Sequence, residues 1–255
     1  LKSSPVITKY PNNPVLSAKD CPYQADLVFN AGAAKFNGKY VMIFRNDYGR
    51  FDGIFEGTNL GIAFSDDGRP VVDTRCLLEA LKRAPELGMT VTAHCEDLYL
   101  AAGGLMNEGI LSQKLGIPGI PSAAEDCGTA REIAAAASVG APVHICHVST
   151  KGSVALIRDA KRRGVKVTAE TCPHYLLLTE ESLAKQDADY RMNPPLRTEA
   201  DRQALLEGLK DGTIDAISTD HAPHTPEEKA DFGKAPNGSI GMETSLAASL
   251  TALDG

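Results

Sequence analysis

A chain of 255 residues with 43% apolar side chains can bury a full core, either as one barrel-sized domain or as two smaller ones. Its net charge of −7 and the lack of any basic patch argue against nucleic acid or an anionic membrane as the main partner. A small-molecule substrate fits better. No apolar run approaches the roughly 20 residues that span a bilayer, and the opening LKSSPVITKYPNNP does not read as a signal peptide.

Residues 1–63 carry no helix signal. With Phe64 they hold six of the seven Phe, and they hold four of the seven Tyr. KYVMIFRND (39–47) and NLGIAFS (59–65) read as strands, with Gly38 and Gly49 as turns, so the spacing predicts an all-β segment. From Thr74 the texture changes. TRCLLEALKRAPELG (74–88) is an amphipathic helix ending at a glycine, followed by the apolar strand MTVTAHC. SAAEDCGTAREIAAAASVG (122–140) opens with Ser122 and Glu125 at capping-box spacing and ends at Gly140 before PVHICHV. KGSVALIRDAKRRG (151–164) leads to VKVTAET (165–171), and TEADRQALLEGLKDG (198–212) leads to IDAISTD (214–220). This helix, glycine, strand rhythm predicts a parallel sheet of the α/β class.

Six cysteines at 21, 76, 95, 127, 146 and 172 form no C-x-x-C pair, which favours reduced thiols and a cytoplasmic setting over a disulfide framework. All six histidines, at 94, 144, 147, 174, 221 and 224, fall in the α/β part, which must therefore build any imidazole site. TVTAHCED (90–97), VHICHVST (143–150) and ISTDHAPH (217–224) each run from a β-branched strand into His or Asp. Parallel barrels place their active sites at such strand ends. A lone His there is more often a satisfied core residue than a ligand. His94 and His147 together with Asp220 reverse that balance, and imidazole plus carboxylate is the ligand set of zinc or a similar divalent ion. Side chains alternate along a strand, so His144 and His147 face opposite ways and one of them at most binds; His147, nearest the strand end, is the choice. Asp67, in the turn SDDG (65–68), could supply the anionic ligand.

Asp220 can also serve as general base beside a metal site. His224, in the Pro-containing loop beyond, can donate to a substrate oxygen, whereas His221 reads as a supporting or solvent residue. Asn193 in RMNPPLR precedes two prolines that hold its amide in one orientation, offering two donors and an acceptor to a polar ring.

These motifs carry a family resemblance. AFSDDG, AHCED, GIPSAAED, CHVSTKGSV, VTAETCPHYLLL, RMNPPLR, STDHAPH and GSIGMET resemble, in order, the bacterial dihydroorotases with an aspartate metal bridge, members of the amidohydrolase superfamily. The resemblance implies a partial TIM-type (β/α) barrel over residues 64–255 and a zinc-dependent interconversion of N-carbamoyl-L-aspartate and L-dihydroorotate in pyrimidine synthesis. It implies Asp67 as bridging carboxylate, His94 and His147 as ligands of the second metal, and Asp220 as both ligand of the first and catalytic base. Asn193, His224, Asn237 and Gly238 match substrate-binding positions. The family's first-strand His-x-His-x-Arg has no match, since residues 1–63 lack His. One zinc rather than two, and impaired activity, are therefore expected. A partial barrel also exposes strand edges, so chain association, a homodimer included, is expected.

NPVLSAKD, ADLVFNAGAAKFNGKYVMIFRNDYG and GTNLGIAFSDDG resemble instead the opening of β-propeller phosphorylases that act on β-mannosides. By that resemblance residues 1–63 are a propeller-blade-like segment; Arg45, Asn46 and Asp47 stand where that family's sugar pocket would be, and here they read as a solvated strand end. The two likenesses meet at residues 63–68, as in a chimera. A phosphorylase fragment, or an inactive scaffold with a residual metal site, is the alternative function.

Overall fold

The computed structural model describes residues 27–36, 39–51, 54–60 and 64–253, the first three segments by backbone alone. The chain divides into two compact units, 1–62 and 63–255.

In the first unit, β1 (Leu27–Phe36), β2 (Lys39–Phe51) and β3 (Ile54–Leu60) form an antiparallel sheet in chain order. β2 continues through Gly49, where the sequence suggests a turn. Pairing of Tyr48 with Gly57 and of Arg50 with Phe55 carries the strand across that glycine. Arg45, Asn46 and Asp47 lie opposite Leu60, Asn59 and Thr58; their side chains, like residues 1–26, lie outside the described residues.

The second unit opens with β4 (Phe64–Ser65) and α1 (Thr74–Glu86). α1 starts where the Asp73 side chain accepts from Arg75 N, and the chain leaves it through Gly88 at φ 68°. Its Leu77, Leu81 and Ala84 recur at helical spacing and are buried. Next come β5 (Val91–Ala93), α2 (Leu98–Ala101), β6 (Met106–Asn107), α3 (Ile110–Leu115), β7 (Gly119–Ile120) and α4 (Ser122–Val139). α4 ends at the left-handed Gly140 and returns the chain to β8 (Val143–Ile145). α5 (Lys151–Arg162), capped by Thr150, leads to β9 (Val167–Thr171). After α6 (Pro173–Leu177), α7 (Glu199–Lys210) is held at its start by a reciprocal Thr198–Asp201 capping box. β10 (Ala216–Ile217) and α8 (Ser245–Leu253) complete the described chain.

β4, β5, β8, β9 and β10 pair in parallel in the order β10-β9-β8-β5-β4, and the helices between them return each strand to the same direction. Alternation sorts the two faces of this sheet. Val91, Ala93, Val143, Ile145, Val167 and Ala169 are buried in one core with Leu81, Ile133, Val154 and Ile157 from the helices. Each large aliphatic side chain buried this way contributes about 2 kcal/mol. The intervening Thr92, His144, Thr168 and Glu170 point to the other face and keep solvent contact. The fold is thus part of a (β/α) barrel. Its strands' C-terminal ends deliver His94, His147 and Asp220 to one rim.

Candidate metal centre

The centre is built from chain turns at the strand ends. After β4 the chain turns through Gly68 at φ 80°, and the two adjacent aspartates separate in role. The Asp66 carboxylate is consumed by backbone: Oδ1 accepts from His94 N at 2.7 Å and Oδ2 from Val71 N at 2.8 Å. Burial, only partly offset by these bonds, raises its pKa above the usual range. Asp67 is turned instead toward the histidines.

His94 Nδ1 lies 2.9 Å from His147 Nε2, and Asp67 Oδ1 lies 3.5 Å from the same His147 nitrogen. Ligand atoms of Asp67, His94 and His147 all fall within 4.8 Å of one another. Two imidazole nitrogens and a carboxylate oxygen converging in this way are a donor set that could hold a divalent cation. His147 reaches it because its backbone enters the left-handed region at φ 38°, ending the strand's alternation. His144 points elsewhere, with Nε2 3.3 Å from Glu170 Oε2 and Nδ1 2.8 Å from Thr168 Oγ1. Burial disfavours a charged His147. The carboxylates of Asp67 and Asp220 outweigh it and push the imidazole up to about 9, which marks the spot as one that draws positive charge.

Two residues missed by the sequence reading brace the His94 and His147 strand ends. Glu96 stands 3.2 Å from His94 Nε2 and accepts from Asn193 Nδ2 at 3.1 Å. Glu125 is buried on α4 and accepts from Ser149 N at 2.9 Å, Thr150 N at 3.1 Å, Ser149 Oγ and Thr150 Oγ1. Arg197, also buried, joins this network through Ser149 Oγ, Asn107 Oδ1 and Ile120 O. The capping-box reading of Glu125 is therefore corrected. Pro121 occupies the N-cap, and the carboxylate serves the VST backbone after β8 instead.

Asp220, at φ 44°, sits beside this group, in ligand distance of Cys172 and His174 rather than inside the Asp67–His94–His147 set. Burial pushes its carboxyl above the usual range, while His147 draws it back and Asp67 adds to the rise. His174 Nε2 is buried without a partner, and burial holds its ring neutral, down to about 3. The Asn193 amide lies across Glu96 with Oδ1 unpartnered and buried. The 237–241 loop is tied by the site's other predicted residues. His224 Nε2 donates to Asn237 O at 2.9 Å, Arg191 Nε donates to Asn237 Oδ1 at 3.1 Å, and Gly238 N donates to Arg191 O at 3.0 Å. Gly238 has φ 130°, and a Cβ there would come within 2.6 Å of Ala222. His221 Nδ1 accepts from Gly241 N and Met242 N, a supporting part. A cavity of about 320 Å³ opens alongside, lined among others by His174, Met192, Thr219, Ser239 and Gly241. That is room for a small molecule.

A family model described as dihydro-orotase-like matches residues 50–153. It reaches back past residues 63–68, where the sequence reading places a join. The chain is 54% identical over 194 residues to the dihydroorotase of Syntrophus aciditrophicus (strain SB), covering 76% of this chain and 46% of that protein. To the dihydroorotase of Geobacter sp. (strain M21) it is 54% identical over 190 residues, covering 74% and 45%. Among solved structures, a D-hydantoinase matches with a TM-score of 0.62 at 31% identity over 76% of this chain and 45% of its own. The L-hydantoinase (dihydropyrimidinase) from Arthrobacter aurescens matches with a TM-score of 0.62 at 28% identity, covering 74% and 44%. The chain thus spans a little under half the length of the relatives it matches, and it resembles dihydroorotases in sequence and cyclic amidohydrolases in fold.

Proposed function

We propose that the 63–255 unit carries the metal-dependent centre of a cyclic amidohydrolase that interconverts N-carbamoyl-L-aspartate and L-dihydroorotate. The convergence of Asp67, His94 and His147 carries the reading. Their donors suit a single zinc ion, and the Asp67 and Asp220 carboxylates favour positive charge beside His147. Bound there, zinc would supply Lewis acidity toward an amide carbonyl.

The chain's own groups supply the rest. Asn193 and the backbone of Asn237 and Gly238 orient the cyclic amide beside the centre. Asp220, its carboxyl raised by burial, accepts a proton from the attacking water. The water oxygen bonds to the ring carbonyl carbon, the ring C–N bond breaks, and the departing nitrogen takes the proton that Asp220 received. His224, in holding Asn237, keeps the substrate loop in place. Among the described residues no helix is long and apolar enough to cross a membrane.

The test loads the 255-residue chain with zinc and follows L-dihydroorotate by its ultraviolet absorbance. Slow turnover is expected, with stoichiometric zinc lost in His94→Ala and His147→Ala. Asp220→Asn is expected to lower turnover by about 10²- to 10⁴-fold, the usual worth of a general base. Turnover unaffected by Asp220→Asn, or zinc retained in both histidine variants, overturns the reading.

A further inference from the structure

Two groups in the centre have an ambiguous orientation: an imidazole can carry its proton on either nitrogen, and a carboxamide can face either way. Glu96 touches both. One oxygen, Oε2, lies 3.2 Å from His94 Nε2, and the other, Oε1, accepts from Asn193 Nδ2 at 3.1 Å. The side chain is only 10% exposed, so water does not compete freely for these oxygens. An ionised carboxylate only accepts hydrogen bonds. His94 must then hold its proton on Nε2, which leaves the lone pair of Nδ1 toward His147 and Asp67. By the same rule the Asn193 NH₂ faces Glu96, and Oδ1 faces away, where it is buried and meets no protein donor.

The Glu96 backbone is itself confined. Gly128 of α4 packs so close that a Cβ would stand 2.6 Å from Glu96 N and 2.7 Å from the Cys95 carbonyl carbon. The carboxylate thus stands on a strand end pinned against a helix, with little freedom to swing to other partners.

We propose that Glu96 is a positioning residue that sets the His94 tautomer and the Asn193 amide together, presenting a metal-facing lone pair and, beside it, an acceptor for an N–H group of the substrate. One carboxylate thereby couples metal loading to recognition of substrates that offer an amide, imide or ureido N–H. Outer carboxylates that hold metal-binding imidazoles commonly contribute 10- to 100-fold in metal affinity. The inference rests on the metal-centre reading above and adds a residue which that reading does not need.

The decisive variant is Glu96→Gln, which keeps the shape but has one acceptor oxygen and one donor NH₂, so it cannot accept from both partners. Cobalt(II) affinity of the full chain, measured by competition with a chelator, is expected to fall about 10- to 100-fold, while the thermal midpoint of the metal-free protein stays as in the parent. Nitrogen-15 imidazole spectra of the metal-free parent are expected to show His94 as the Nε2–H tautomer, and Glu96→Gln to lose that preference. Asn193→Ala, which leaves the Glu96–His94 contact intact, is expected to keep both the tautomer and the cobalt affinity. An Nδ1–H tautomer in the parent overturns the proposal without reference to any variant, and so does unchanged cobalt affinity in Glu96→Gln. A His94→Ala chain that binds cobalt as tightly as the parent overturns the metal-centre reading instead.

Discussion

Glu132 lies on α4 with its side chain fully buried; Arg131 Nη2 reaches Oε1 at 2.7 Å, and Oε2 has no partner. Burial, the largest influence, outweighs Arg131 and pushes the carboxyl from 4.5 to about 7. The folded chain therefore binds this proton more tightly than the unfolded chain. The stability it contributes is full below pH 4.5 and is lost as pH climbs toward 7. That gap is worth roughly 3 kcal/mol. Glu132→Gln is expected to flatten the fall in thermal midpoint between pH 5 and 7.5; an unchanged slope would remove Glu132 as its cause. Glu125, by contrast, is fully partnered: its buried carboxylate has four hydrogen bonds and Arg197 Nη2 at 3.8 Å. Glu125→Ala leaves a buried guanidinium without its counter-charge and is expected to cost about 3–5 kcal/mol in urea unfolding. The meeting of Asp67, His94 and His147, whose ligand atoms lie within 4.8 Å of one another, was legible because strand ends and ligand chemistry coincide in short motifs. Glu125 was not: its partners lie 24 and 25 residues away, and a local capping rule explained the same spacing. Glu96 stands inside the AHCED motif, but only the fold brings Asn193, 97 residues on, against it.

The elements themselves followed the sequence closely where glycine and periodicity agree, as at Gly88, Gly140, Gly164 and Gly212, all left-handed and all just beyond a helix. Gly49 misled because neighbouring strands, not local preference, decide whether a chain turns. Gly128 was silent for a related reason. A glycine inside a helix looks like a weak point until the helix is seen against Glu96 and Cys95. Its missing side chain lets α4 reach the end of β5. Gly128→Ala relieves the helix of a poor former but drives a methyl into that backbone. Overpacking of this kind costs about 1–3 kcal/mol, against a gain of about 1 kcal/mol in helix propensity. The expected outcome is net destabilisation with weaker cobalt binding, read by thermal melts and chelator competition. A more stable chain with unchanged cobalt affinity would mean that the two elements separate freely.

At the scale of the molecule, the βα rhythm announced parallel strands, but strand order and the openness of the sheet emerge only from long-range pairing. Among the described residues the sheet ends at β4 on one side and β10 on the other, and its polar face, with Thr92, His144, Thr168 and Glu170, stays in contact with solvent. α8 packs Ser249 and Ala252 inward and turns Leu246, Leu250 and Leu253 outward, at 74%, 51% and 51% exposure. Ile240 and Met242, in the segment before α8, are also exposed, at 58% and 64%. Water disfavours a continuous apolar stripe of this kind, and unpaired strand edges add backbone groups that seek partners. The 255-residue chain is therefore expected to self-associate, with a mass that rises with concentration in size-exclusion chromatography coupled to light scattering. Leu246→Glu with Leu250→Glu places two charges on the stripe without touching the buried side of α8, and is expected to shift the population toward monomer. A parent chain that runs as a compact monomer at every concentration would show that this surface is tolerated in water. An associating chain indifferent to the double substitution would shift the cause to the sheet edges.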